Sequence, residues 1–239
     1  MGLRLMKTDV VPIPWHKAFL AVARKNRHLL SVYARFHQLW HIRKQISGKG
    51  NSVALANSLL KNTTIRIRGN ANTVRFGRDV RAASLKIRIS GDNHTVIVGN
   101  RCRLGVSSFH VEDSGCIVSI GEDSTVENAH FGAAEPNRQI VIGNDCMLSS
   151  DIYIATTDSH SIIDIRNNRR INPPGDVQIG NHVWIGAYVR ILKGVTIESG
   201  SIVGLGSVVN DSIPADSIAV GVPARVVKSC TSWKRDRTQ

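Results

Sequence analysis

Between Val177 and Asn210 an aliphatic residue returns at every sixth place: Ile179, Ile185, Ile191, Ile197, Val203 and Val209. Four places after each of the first five stands a small or branched residue, namely Val183, Val189, Val195, Ser201 and Ser207. A helix repeats its buried face about every 3.6 residues and a strand about every 2, so a period of six fits neither alone. The turn formers between the aliphatics (Gly180, Asn181, Gly194, Gly200, Gly206) point to a coil of short strands. Each hexad supplies one brief strand whose first and fifth places face inward, followed by a bend. Three hexads close a triangular rung, and successive rungs stack their interiors. The expected class is all-β, a parallel β-helix, and a chain only 5% aromatic suits its narrow interior.

A longer repeat precedes this run. Phe76-Gly77, Val98-Gly99, Ile120-Gly121 and Ile142-Gly143 stand 22 residues apart. Three hexads make eighteen, so each of these repeats is one rung plus four extra residues, expected as corner insertions at 88–91, 110–113 and 132–135. After the fourth repeat the chain makes one long excursion, about residues 154–172, before the hexads resume near Pro173 without insertion. Excursions from a rigid scaffold are where function concentrates. This one reads Thr156-Thr-Asp158-Ser-His160-Ser-Ile-Ile-Asp164, followed by Arg166, Arg169 and Arg170.

The net charge of +13 is uneven. Residues 1–50 hold ten Lys or Arg against the single acid Asp9, and their pattern turns helical from Trp15, after Pro12 and Pro14, to about Ile46. Leu29, Tyr33, Phe36 and Trp40 form its apolar stripe. Such an arm suits either an anionic membrane surface or packing on the coil or a neighbouring subunit. The expected organisation is a basic helical arm over 1–50, the coil over 51–213, and a closing segment and tail over 214–239. Cys102 and Cys146 fall on inward places and read as small buried thiols, with neither disulfides nor a cysteine metal site expected. No apolar run is long enough to span a membrane and none resembles a secretory signal, so the expected location is cytoplasmic, with peripheral membrane contact through the arm as the variant.

The runs Ile179-Gly-Asn-His-Val-Trp184-Ile-Gly, Ile191-Leu-Lys-Gly-Val, Val203-Gly-Leu-Gly-Ser-Val and Gly221-Val-Pro-Ala-Arg225 together resemble the hexapeptide-repeat acyltransferases. The Thr-Asp-Ser-His-Ser-Ile segment adds a narrower likeness to the O-acetyltransferases of cell-surface polysaccharides. The resemblance implies a left-handed coil, a homotrimer, acetyl-CoA as donor and a saccharide acceptor. It places the catalytic histidine at His160 and an acyl-site tryptophan at Trp184. Donor contacts carry over to Ala187, Leu205, Asn210, Asp211, Arg225 and Lys228. Ala187 stands where related sugar acetyltransferases have serine and Asp211 where they have lysine, which leaves Arg225 and Lys228 with more of the phosphate interaction.

The chemistry fits these residue types. A histidine, partly neutral at pH 7, can take the proton of a sugar hydroxyl as its oxygen attacks a thioester carbonyl, worth on the order of a hundredfold to ten-thousandfold. A fixed backbone N–H on a neighbouring turn is the expected oxyanion donor. Asp158 and Asp164 are candidates to orient His160, or are turn formers. His130 is a candidate acceptor contact, as are Arg166, Arg169 and Arg170 for an acidic saccharide. The other readings are acetylation of a small sugar, amino sugar or antibiotic, a three-histidine zinc hydratase, and a silent interaction scaffold. No histidine pair stands in an evident ligand array, so no metal is expected, and nothing in the coil resembles a nucleic-acid module.

Overall fold

The computed structural model describes residues 27–237. The proline pair and the expected start of the helix at Trp15 lie outside them. Strands stack in parallel, rung upon rung, into a three-sided coil of about eight turns. The first face is a sheet of seven strands running from Ser52–Ala54 through Gln139–Ile142 and Val177–Ile179 to Thr196–Ile197. A sheet of fourteen strands wraps the other two faces. The second face carries Met147–Leu148, Trp184–Ile185 and Ile202–Val203; the third carries Thr63–Arg68, Ile152–Ala155, Arg190–Ile191 and Val208–Val209.

The hexad arithmetic holds through the later rungs and for the first two hexads of each long repeat. It fails at the third hexad in three of them, where Lys86, Ser108 and His130 lie outward while Leu85, Ser107 and Ala129 take the inward places. All eleven inward places from Ile179 to Val209 are buried, as are Val74, Val96, Val118 and Ile140 in the longer repeats. Each fully buried aliphatic contributes about 1.5–3 kcal/mol, and the ladder places them directly above one another. One corner shows why glycine recurs: a Cβ on Gly99 would lie 2.7 Å from the amide nitrogen of Glu122 on the next rung. Beside it asparagine side chains stitch the rungs, Asn144 Oδ1 accepting from Glu122 N and Asn181 Oδ1 from Asn144 N, each at 2.8 Å. Cys102 and Cys146 are buried inside, and burial pushes both thiols up to about 11.

Two expectations change. The four extra residues of the long repeats do not form corner insertions. They lengthen one side, so Arg81–Asp92 and Arg103–Ser114 run as twelve-residue strands and Thr125–Ala133 as nine. The reason is visible in Leu85, Ile87 and Ile89, which are buried while Lys86, Arg88 and Ser90 are exposed: strand alternation continues straight through the extra residues. The wider rungs have room for rings, and Phe109 and Phe131 stack inside with centroids 4.8 Å apart.

The helix also ends earlier than expected. It spans Arg27–His41, and Ile42–Ser47 instead forms a strand paired in parallel with Thr63–Arg68, so the coil begins earlier. The helix rests on the end of the coil through Ala34, His37 and Gln38, whose amide donates to the carbonyls of Ala56 and Ser58. Of its expected apolar stripe Leu29, Phe36 and Trp40 face outward and Tyr33 is half-buried, while Val32 and Leu39 extend the outward apolar face. Among the described residues no helix is long and apolar enough to cross a membrane.

Candidate active site

The excursion leaves the coil after Ile152–Ala155, at the corner between the third and first faces, and returns at Val177–Ile179. Its neck is tied to the rung below. Thr156 is buried, and its hydroxyl donates to the carbonyl of Ala134 (2.9 Å) and accepts from the same residue's N–H (3.0 Å). Arg170 grips both carboxylate oxygens of Glu135, at 2.5 and 2.6 Å, and this pairing, helped by the Thr157 hydroxyl, holds Glu135 down to about 2 against the cost of its partial burial. Beyond the neck, Ile163–Asp164 and Arg169–Arg170 form a small antiparallel hairpin.

Asn172, only 7% exposed, ties this loop together. Its Oδ1 accepts from Ile162 N (2.6 Å) and Arg170 Nε (3.3 Å), while its Nδ2 donates to Asp158 Oδ2 and to the carbonyl of His160, both at 2.8 Å. Lys193, on the following turn of the coil, pairs with Asp158 and donates to the carbonyl of Asn172 at 3.2 Å. Lys193 first and Asn172 second hold the Asp158 carboxyl below its usual range. His160 is thereby fixed through its main chain, its N–H donating to the carbonyl of Asp158 at 2.8 Å, while the residue stands exposed at the surface of the loop. Neither carboxylate orients that ring: Asp158 is committed to Lys193 and Asn172, and Asp164 caps the hairpin turn by accepting from Arg166 N (2.9 Å) and pairing with its guanidinium (2.7 Å). Arg166 and Arg170 are likewise spent on Asp164 and Glu135, which leaves Arg169 as the arginine of that trio with an exposed side chain and no acidic partner among the described residues.

The other expected residues lie on neighbouring surfaces. Trp184 points outward from the second face, 38% exposed, away from the corner that carries the excursion. The C-terminal tail backs it: Trp233 is buried, stacks on His182 at 4.2 Å and lies 6.2 Å from the Trp184 ring. Ala187 and Leu205 occupy stacked turns between the second and third faces, where Gly206 N donates to the carbonyl of Ala187 at 2.8 Å. Asn210 and Asp211 are exposed one corner further on, and Asp211 pairs with Arg225 at 2.9 Å, so the acid at 211 engages the cation expected to serve a phosphate. Lys228 is exposed on the closing strand Arg225–Lys228. Within one chain the histidine and the tryptophan thus stand on separate parts of the coil.

His130 stands on the third face, in a strand rather than an insertion. Its Nδ1 lies 2.8 Å from the Ser108 hydroxyl and its ring stacks on Tyr153 at 5.3 Å, and burial followed by the nearby His110 lowers its pKa. His110 and His130 sit on successive rungs, ring centroids 6.4 Å apart, a neighbourhood hidden by the extra residues of the long repeats. Among the described residues no group of three His, Cys, Asp or Glu is placed to hold a metal ion. Sequence reasoning missed Asn172, Lys193 and Glu135. Their signal was available only as position, since each flanks the excursion or stands one rung away from it.

A hexad coil interrupted by one anchored, histidine-bearing loop defines a hexapeptide-repeat transferase. The family model for the bacterial transferase hexapeptide, six repeats, matches residues 176–211. A polysialic acid O-acetyltransferase of Neisseria meningitidis is 38% identical over 150 residues, 62% of this chain and 68% of that protein. Two solved structures are similar: the polySia specific acetyltransferase NeuO (31% identity, TM-score 0.75, 83% of this chain and 91% of that one) and the polysialic acid O-acetyltransferase OatWY (32%, 0.76, 82% and 92%). The chain belongs to the hexapeptide-repeat O-acetyltransferase family.

Proposed function

We propose that this protein transfers an acetyl group from acetyl-CoA to a hydroxyl of an acidic cell-surface polysaccharide or its precursor, with His160 as general base. The observation that carries this reading is the match to two polysialic acid acetyltransferase structures over nine-tenths of their length. The net charge of +13 supports a polyanionic acceptor. The active unit is a homotrimer, in which the excursion of one protomer faces Trp184 of its neighbour across a shared cleft. Acetyl-CoA is a cytoplasmic metabolite, which supports a cytoplasmic location, and the outward stripe Val32, Phe36, Leu39 and Trp40 with Arg35 suits either a neighbouring subunit or a membrane surface.

In this mechanism the neutral imidazole of His160 takes the proton of the sugar hydroxyl while that oxygen attacks the thioester carbonyl. A main-chain N–H on an adjoining turn stabilises the oxyanion. The carbon–sulfur bond then breaks, and the thiolate of coenzyme A recovers the proton from the imidazolium. Asp158, Asn172 and Lys193 set the main chain on which the imidazole is carried. Arg225, which also pairs with Asp211, and the exposed Lys228 are the cations this reading assigns to the phosphates of the donor.

Mass spectrometry of surface glycans after incubation with purified protein and acetyl-CoA tests the proposal. The expected product is an acidic polymer heavier by one or more acetyl groups. The His160→Ala variant is expected to lose about a hundredfold or more in turnover while still binding acetyl-CoA. Acetylation of neutral or small acceptors alone, or full activity in that variant, would refute it.

A further inference from the structure

The third face presents outward rows that run along the coil axis. The register aligns Arg43, Thr64, Lys86, Ser108, His130, Tyr153 and Arg190 in one row, and Gln45, Arg66, Arg88, His110, Gly132 and Ala155 in the next. Neighbouring rungs are about 4.8 Å apart and neighbouring rows about 7 Å, so these side chains form a lattice of cations and hydroxyls. Of the acids on these strands Glu112 is engaged by His110 at 2.9 Å, while Asp92 and Asp113 lie at the far edge of the face and accept from the main-chain N–H groups of Asn70 and Glu135. Arg43, Arg66, Arg68, Lys86 and Arg88 have no acidic partner among the described residues, and Arg66 bonds the neutral Gln45, at 2.8 Å. Arg66 and Arg88 stand directly opposite each other on paired strands, an arrangement that is unfavourable unless something anionic lies across it.

The lattice also leads somewhere. The second row ends at Ala155, and the next residue, Thr156, opens the excursion that carries His160. Near that end Tyr153, 38% exposed and backed by the His130 ring stacked on it within 13° of parallel, offers an aromatic surface of the kind on which a sugar ring stacks. From the rung of Arg66 to that of Tyr153 the track is about 19 Å long, enough for several saccharide units.

We infer that the third face is a binding track for the acidic polysaccharide acceptor, holding the polymer by its regularly spaced carboxylates and delivering it to the His160 corner. This rests on the acceptor class proposed above. It adds that chain length is read outside the catalytic cleft, by Arg66, Lys86 and Arg88, with Tyr153 and His130 as the stacking platform.

The test is fluorescence anisotropy with labelled polysialic acid of graded length, alongside acetylation kinetics on the same chains. Arg66→Gln/Arg88→Gln is compared with Arg78→Gln/Arg103→Gln, which removes the same charge elsewhere on the coil. The track variant is expected to bind long chains about tenfold or more weakly, with a shallower dependence on salt and a raised KM for long chains. The KM for short oligomers and for acetyl-CoA should stay at the wild-type value. Equal weakening in both double variants, or equal loss on short and long chains, would overturn the track. Equally tight binding of DNA of matched charge would overturn its assignment to an acidic saccharide. If the wild type binds long chains through the track yet acetylates none, the inference stands and the acceptor proposal fails; acetylation with no effect of the track variant gives the reverse.

Discussion

Replacing Asn172 with alanine isolates the contribution of loop geometry from that of the imidazole. The side chain makes four hydrogen bonds inside the excursion, two to main-chain groups (Ile162 N and the carbonyl of His160) and two to the more solvent-accessible side chains of Asp158 and Arg170. A net hydrogen bond is worth about 0.5–1.5 kcal/mol. Taking the exposed pair at the lower end, the docked loop loses about 2–4 kcal/mol. At about 1.4 kcal/mol per tenfold this limits the fall in kcat to about a thousandfold, with the expected loss between about tenfold and that limit. The coil should be untouched, because its rungs are bonded to one another and not to the Asn172 side chain, and the carbonyl that Lys193 reaches is kept in alanine. The assay is steady-state kinetics joined to amide hydrogen exchange. Exchange at residues 160–163 should accelerate while Val177–Val209 stays protected, and KM for acetyl-CoA should hold. Wild-type kcat with a demonstrably loosened loop would refute the claim that this loop positions the base.

The Glu135–Arg170 pair predicts an acid-sensitive anchor. A carboxyl held at about 2 against its usual 4.5 supplies docking free energy that is fully present above about pH 4.5 and is lost as pH falls through its folded value. Exchange in the excursion, corrected for the intrinsic rate, should therefore rise below about pH 4.5 in the wild type, while Glu135→Gln loosens it at neutral pH and abolishes the acid step. Phe131→Ala empties a buried, stacked position and should cost about 3–5 kcal/mol, read as a melting temperature lower by about 6–20 °C. Trp233→Ala should release the C-terminal tail, since its indole N–H donates to the carbonyl of His182 at 2.8 Å and Arg235 beyond it reaches Asp145 at 2.9 Å. Limited proteolysis after Thr231 and a red-shifted Trp184 emission would report that release; an unchanged digestion pattern would refute it.

The coil was legible because its buried places repeat every six residues regardless of what lies between them, and stacking needs only that those places be aliphatic or small. Residues outside the period were not. The insertions expected at 88–91 and 110–113 turned out to be strand, since the inward set shifts by one residue after Ala82 and Leu104, to Leu85 and Ser107, a shift that counting in sixes does not register. The helix was extended past His41 because Ile42 and Ile46 keep a helical spacing, while the open end of the coil offers strand partners that local spacing does not register. His160 and Asp158 were located by motif. Their supports were not, because Glu135 and Lys193 stand far from the loop in sequence and reach it only when rungs stack.

That stacking explains why the chain changes its repeat where it does. The 22-residue rungs stop at the excursion, and the last of them supplies its anchors: Ala134 holds Thr156, and Glu135 holds Thr157 and Arg170. Four residues that look surplus in an eighteen-residue rung thus form the shelf on which the histidine loop rests. Above it the narrower rungs contribute Lys193, which closes on Asp158 from the other side. The loop is therefore clamped between a wide rung and a narrow one, and the same change of width brings the second outward row of the third face to an end at the loop's neck. A chain built of eighteen-residue rungs throughout would keep the coil and lose both the shelf and the approach to it, so deleting 132–135 should abolish activity on long acceptors while leaving the later rungs, Val177 to Val209, folded and protected from exchange.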